Sequence, residues 1–213
     1  MCIICISEKG TPQPTTEQIK TMFRNNPHGA GYMVARNSAV EIHKGFMELG
    51  DFLRQLEREQ FTSDDVVVYH FRISTQAGVT PEMTHPFPLT SSLDRCAKLD
   101  VICPCGVAHN GIIRMTSGIS DKYSDTALFI TDYMHKLIRR PSDLHDPAIL
   151  EMLETLIGSK MAILDKSGHV AWVGDFITED NGLMFSNSTY QSTGRNVKCQ
   201  PSWLKNLAPF YLR

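Results

Sequence analysis

Four kinds of side chain in this sequence could act together on one small molecule. Cys2 stands directly behind Met1 in "MCIICISEKG". With Met1 removed, that residue would hold a thiol titrating near about 8.5 and an α-amine near about 7.7–8.0, close enough to exchange a proton at neutral pH. Such a nucleophile carries its own base and needs no separate histidine. Arg72 and Thr75 lie at the end of "HFRISTQAG", where a guanidinium fork suits a carboxylate. In "AHNGII", Asn110 offers a side-chain amide and Gly111 a backbone N–H, two donors able to converge on a developing oxyanion. Asp125, in "YSDTALF", falls in the first turn of an expected helix and could receive an ammonium group. Together they describe hydrolysis of the side-chain amide of a zwitterionic amino acid, for which glutamine is the natural candidate.

Each residue also has an ordinary structural use. A free thiol is among the most often buried groups, and an arginine at a strand end commonly makes an ion pair. Asn-Gly is a tight-turn signal, and a carboxylate in a first helical turn is favoured by the helix dipole.

The elements that must position these groups are partly readable. Residues 2–6 predict a short buried strand, and Thr15 caps a helix with apolar residues at Ile19, Met22 and Phe23. "NPHGAG" marks a turn, and "GYMVAR" and "VEIHKG" form a hairpin around Asn37 and Ser38. A second amphipathic helix follows at "ELGDFLRQLERE". "DVVVYHFRIST" (65–75) is the strongest strand signal and predicts a central strand. After a proline-containing loop at 81–88, a strand is expected into "GVAHNGII", then a helix from Ser124 to about Arg140 and another at 147–157. "KMAILDKSGHVAWVGD" predicts a hairpin and "GLMFSNS" a further strand. "WVGDF" and "FSNSTY" read as sheet and turn with no chemical role. Strands and helices in such blocks predict α+β layers.

Six stretches occur in a telling order: Met1-Cys2, "NPHGAG" (26–31), "HFRIST" (70–75), "THPF" (84–87), "HNGII" (109–113) and "SDT" (124–126). This ordered set resembles the class II glutamine amidotransferase domain of the N-terminal-nucleophile hydrolase superfamily. The resemblance implies that Cys2 is the nucleophile, that Asn110 and Gly111 form the oxyanion hole, and that Arg72, assisted by Thr75, binds the α-carboxylate of L-glutamine. Asp125 would bind its α-amine and His85 would belong to the pocket wall. The implied fold is an α+β four-layer αββα sandwich, two antiparallel sheets between helical layers, with residues 1–213 as a single domain. No cofactor is implied. Ile73 follows Arg72 where many members carry an aromatic residue, and His28 stands where an acidic one is often found. Family members usually pass ammonia to a fused synthase or synthetase domain, for which this chain leaves no length. A separate synthase partner, or a free-standing glutaminase, is therefore implied.

Composition narrows the alternatives. With 42% hydrophobic and 21% charged residues in 213, and no apolar run near the roughly 18 residues of a membrane span, an ordinary globular protein is expected. A net charge of −2 with scattered Lys and Arg gives no footprint for nucleic acid. "CIICI" lacks a basic leader and is too short for a signal peptide, and the six cysteines form no spaced framework, so reduced thiols and a cytoplasmic location are expected. Cys96, Cys103, Cys105 and His109 could hold zinc, but one residue between Cys103 and Cys105 is poor spacing, and no metal is expected. An amide hydrolase of the same superfamily with another substrate is the enzymatic alternative. The presence of both Arg72 and Asp125 argues against it.

Overall fold

The computed structural model describes residues 1–74 and 79–191, together with the backbone of Cys199–Gln200. Thr75, which the resemblance places beside the arginine, lies outside the described residues.

Alternating apolar residues build two antiparallel sheets. The larger has eight strands in the order β12-β10-β11-β1-β4-β2-β3-β6. These are β1 (Ile3–Ser7), β2 (Ala30–Arg36), β3 (Ala39–Phe46), β4 (Val67–Phe71), β6 (Asp100–Cys103), β10 (Phe176–Thr178), β11 (Met184–Phe185) and β12 (Cys199–Gln200). The smaller has the order β5-β7-β8-β9, from β5 (Phe87–Pro88), β7 (Cys105–Asn110), β8 (Lys160–Asp165) and β9 (Val170–Val173).

Three apolar clusters show where each strand face goes. Ile4 and Ile6 of β1, Met33 of β2 and Val68 of β4 meet Ala108 of β7, Ala162 and Leu164 of β8 and Trp172 of β9, so the two sheets pack on each other. The opposite face of the larger sheet, with Cys5, Tyr32, Val67 and Phe71, packs on α1 (Thr16–Asn25) and α2 (Leu49–Glu59) through Met22, Phe23 and Phe52. The opposite face of the smaller sheet, with Val107, Met161, Ile163 and Val173, packs on Phe129, Met134 and Leu153. Those residues come from α4 (Asp125–Phe129), the π-helical turn Ile130–Met134 that leads into α5 (His135–Leu137), and α6 (Pro147–Ile157). A short α3 (Leu93–Cys96) lies between β5 and β6. Strands buried on both faces explain why β1 and β4 read as continuous apolar runs rather than as alternations. Among the described residues no helix is long and apolar enough to cross a membrane.

Several expectations hold in detail. Thr15 caps α1 in a capping box with Gln18, and Asn37 and Ser38 both take positive φ, 51° and 56°, as a two-residue hairpin turn requires. Two expected elements are shorter than their apolar pattern. The strand expected over 65–75 ends at Phe71, because the chain beyond it pairs with the 28–29 turn instead: Arg72 N–H donates to Gly29 O (2.8 Å) and His28 N–H to Arg72 O (2.9 Å). The helix expected from Ser124 to about Arg140 changes to π geometry at Ile130 and ends at Leu137. Arg140 precedes Pro141 and is extended, with φ −138° and ψ 151°, as a residue before proline prefers.

Candidate active site

Strand periodicity carries the first two residues to one place. On β1 and β4, Ile4, Ile6 and Val68 face the smaller sheet, and period two puts Cys2, His70 and Arg72 on that same side. The register Ile3 to Phe71 and Ile4 to His70, extended by one step, sets Cys2 opposite Arg72. The Cys2 thiol accordingly reaches Ile73 O, to which it donates at 3.5 Å. On β7, Asn110 shares the phase of Ala108 and also faces the larger sheet, whereas His109 turns toward the helices.

A cavity of about 490 Å³ opens at this end of the sandwich. Cys2, Arg72, His85, Gly111 and Asp125 all line it, and the 117–126 segment supplies the facing wall. Five of the seven residues expected in the site therefore share one cavity. Thr75 lies outside the described residues. Asn110 is not on the cavity wall: it is 3% exposed, and its Nδ2 donates to Ser186 Oγ at 2.8 Å.

The two charges keep their recognition faces open. Arg72 and Asp125 sense each other across the cavity, yet neither makes an ion pair among the described residues. Burial pulls the Arg72 guanidinium down from its usual range, an effect opposed by the Cys2 and Asp125 charges. Its Nη1 is buried without a hydrogen-bond partner among the described residues. Asp125 is fixed by the chain around it: Oδ2 accepts Ile113 N–H (2.7 Å) and Oδ1 accepts Thr126 N–H (2.7 Å). A carboxylate oxygen accepts more than one donor, so capacity for an ammonium group remains. Burial also raises the Cys2 thiol, outweighing the hydrogen bond to Ile73 and the Arg72 charge that lower it. The resting group is the thiol, and attack requires a base.

Three histidines back the cavity. His70 Nε2 donates to His109 O at 2.9 Å, which leaves Nδ1 as a bare acceptor with no donor. His109 is held at both ring nitrogens, by Thr126 Oγ1 (2.9 Å) and Ser159 Oγ (2.7 Å). These two are interior strand residues, as their sequence context implies. His85 packs against His70 with ring centroids 4.3 Å apart and the ring planes tilted by 48°, and neither of its ring nitrogens has a partner among the described residues. Burial pushes His70 down to about 3, His109 to about 4 and His85 well below its usual value, so all three are neutral at pH 7.

The remaining motif blocks prove to be packing devices for this wall. A Cβ on Gly31 would lie 2.3 Å from His85 O, and one on Gly29 2.6 Å from Thr84 Cγ2, so "GAG" lets the "THPF" segment approach. His28 Nδ1 accepts Ser74 N–H at 2.9 Å, the acceptor role an acidic side chain at this position would also fill. Lys44 is buried beneath the segment, donating to Glu82 O (2.7 Å) and Cys96 O (2.6 Å), and its burial brings it down to about 7. Gly111 has φ 153°, and a Cβ there would lie 2.4 Å from Ser159 Cβ.

The sequence reading missed Ser186 and Asn187. Asn187 Nδ2 donates to Cys2 O at 2.6 Å, and Ser186 Oγ accepts Ile4 N–H at 2.9 Å, so "FSNSTY" grips Cys2 and the strand that follows it instead of being mere turn. A polar pair closing an apolar strand was the available signal. The alternative zinc set is not assembled. Cys103 belongs to the cluster between the sheets and Cys96 and Cys105 to the helix-side cluster, and both His109 nitrogens are engaged. Among the described residues no group of three or more metal-ligating side chains occurs. Neither a protein-family model nor a curated protein matches this chain.

Proposed function

We propose that this protein is a glutaminase of the class II glutamine amidotransferase type, with an N-terminal cysteine nucleophile exposed by removal of Met1. One observation carries the reading. Among the described residues, every buried side-chain nitrogen or oxygen without a partner belongs to Arg72 or His85, which line the cavity with Cys2, or to His70 and Asn110, which lie behind that wall. Native interiors seldom leave polar atoms unpaired, and a cluster of them beside a thiol marks a site built for an absent polar ligand. The open Arg72 fork and the fixed Asp125 carboxylate fit the two charged ends of an α-amino acid. A carboxamide side chain would then extend toward Cys2.

In the proposed reaction the freed Cys2 α-amine takes the thiol proton as sulfur attacks the carboxamide carbon. The tetrahedral oxyanion is held by Gly111 N–H and the Asn110 amide, and the amine returns the proton to the departing ammonia. Water then hydrolyses the thioester and releases glutamate. The layered arrangement of the three apolar clusters supports the finer reading of the fold as an αββα sandwich of the N-terminal-nucleophile type, with residues 1–213 as one domain. Ammonia would pass to a separate synthase or synthetase.

The test begins with the mass of the intact protein, expected to lack Met1, followed by glutamate and ammonia release from L-glutamine beside Cys2→Ala. Wild-type release abolished in the variant is the expected outcome. Equal release by the two proteins would remove Cys2 as nucleophile.

A further inference from the structure

Ser186 is fully buried, and four polar contacts converge on it. Its N–H donates to Ile4 O (3.0 Å) and its carbonyl accepts Lys160 Nζ (2.7 Å). Its hydroxyl oxygen accepts Ile4 N–H (2.9 Å) and lies 2.8 Å from Asn110 Nδ2. Two features of this arrangement are unbalanced. With the amide nitrogen facing Ser186, the hydroxyl oxygen receives two donors while its own proton meets no acceptor among the described residues. At the other end of the amide, Asn110 Oδ1 is buried without a donor.

A half-turn of the carboxamide about its last torsion keeps the shape and exchanges the two atoms. Ser186 Oγ–H then donates to Asn110 Oδ1 while its oxygen still accepts Ile4 N–H, so the hydroxyl is fully used. The one end left without a partner becomes the NH2 group, a donor. That is the group an oxyanion donor must keep free until charge develops on the substrate. We propose that Ser186 is the positioning residue that holds the Asn110 carboxamide with its nitrogen turned away from the serine, ready for the oxyanion. The proposal rests on the glutaminase reading for its purpose, though not for its geometry. Asn187 completes the device by binding Cys2 O, so two consecutive residues fix the nucleophile strand and the oxyanion donor in one frame.

Two measurements test it. Neutron diffraction from deuterium-exchanged crystals is expected to place a deuteron on Ser186 Oγ directed at Asn110, with the ND2 group turned away; an ND2 group facing Ser186 overturns the proposal whatever the enzyme does. In kinetics, Ser186→Ala is expected to lower kcat for glutamate release about 10- to 100-fold with KM within about twofold, and Ser186→Thr, which keeps the hydroxyl, to restore most of it. In an Asn110→Ala background Ser186→Ala is expected to cost little more, because both act through one group. An unchanged kcat in Ser186→Ala, or full multiplication of the two losses, overturns it. Absence of turnover in the Met1-free wild type counts against the glutaminase reading instead, and the neutron map still decides the amide.

Discussion

At Cys2, Arg72 and Asn110 the same physical fact has three chemical meanings. Burial keeps Cys2 as a thiol, which makes a base necessary and a spontaneous thiolate unavailable. Burial of Arg72 with Nη1 unpaired makes a carboxylate ligand strongly preferred, because an unmatched buried donor is costly. In the proposed reaction the Asn110 amide, by contrast, contributes only when charge develops on the reacting oxygen. The two side chains should therefore separate kinetically. Arg72→Ala is expected to raise KM for glutamine about 10- to 100-fold, the loss of a charge-assisted hydrogen bond. Asn110→Ala is expected to lower kcat about 10²- to 10³-fold with little change in KM. Steady-state kinetics on both variants checks this, and an unchanged kcat in Asn110→Ala would end the oxyanion assignment.

Among the elements, the cavity wall depends on how three segments pack together behind it. The 28–31 turn, the 82–87 segment and the end of β4 interlock through Gly31, His28 and Lys44. Gly31→Ala would drive a Cβ to 2.3 Å from His85 O, within a tightly bonded segment. A fall in melting temperature together with a loss of glutamate release is expected, and an unchanged value of both would show that the segment gives way freely. The strand-borne histidines make stability depend on pH. His70 and His109 titrate near 3 and 4 when folded, against an ordinary value of 6.5. Below 6.5 the unfolded chain takes up protons that the folded chain refuses, so stability is complete above that pH and is lost progressively as pH falls toward 4. At pH 5 each histidine costs about 2 kcal/mol relative to pH 7. Urea unfolding at the two pH values is expected to show a lower midpoint at pH 5, and equal midpoints would contradict neutral buried histidines.

For the whole molecule, the two packed sheets are the frame whose one end bears the cavity and the proposed chemistry. Leu164 is fully buried in the cluster between the sheets and pairs with Gly106, four residues along β7 from Asn110. Leu164→Ala is expected to lose about 2–5 kcal/mol in chemical denaturation while the folded protein keeps its KM for glutamine. A large KM change would mean that the frame and the site are coupled. The open cavity also bears on the proposed partner. Ammonia released at a solvent-open mouth is lost to water, so a synthase that uses it must cover that mouth.

The sequence by itself determined the local elements and the chemical inventory. The cap at Thr15, the Asn37–Ser38 turn and the apolar run of β4 act over a few residues, and their signals are correspondingly local. That Cys2, Arg72, Gly111, His85 and Asp125 belong to one place was legible because their types suit one proposed reaction and their motifs occur in order, and they do line one cavity. The tertiary structure alone decided how they meet. The β1–β4 register sets Cys2 opposite Arg72, and the pairing of β11 with β1 brings Ser186 and Asn187 to Ile4 and Cys2 across 182 to 185 positions of chain. Such contacts leave no periodic trace, because a serine that satisfies a distant amide looks in sequence like any serine at the end of a strand. The helix that ends at Leu137 is stopped locally, ahead of Pro141, whereas the strand that stops at Phe71 follows the same rule. Partners elsewhere in the chain took over backbone groups that the local pattern had assigned to continuation.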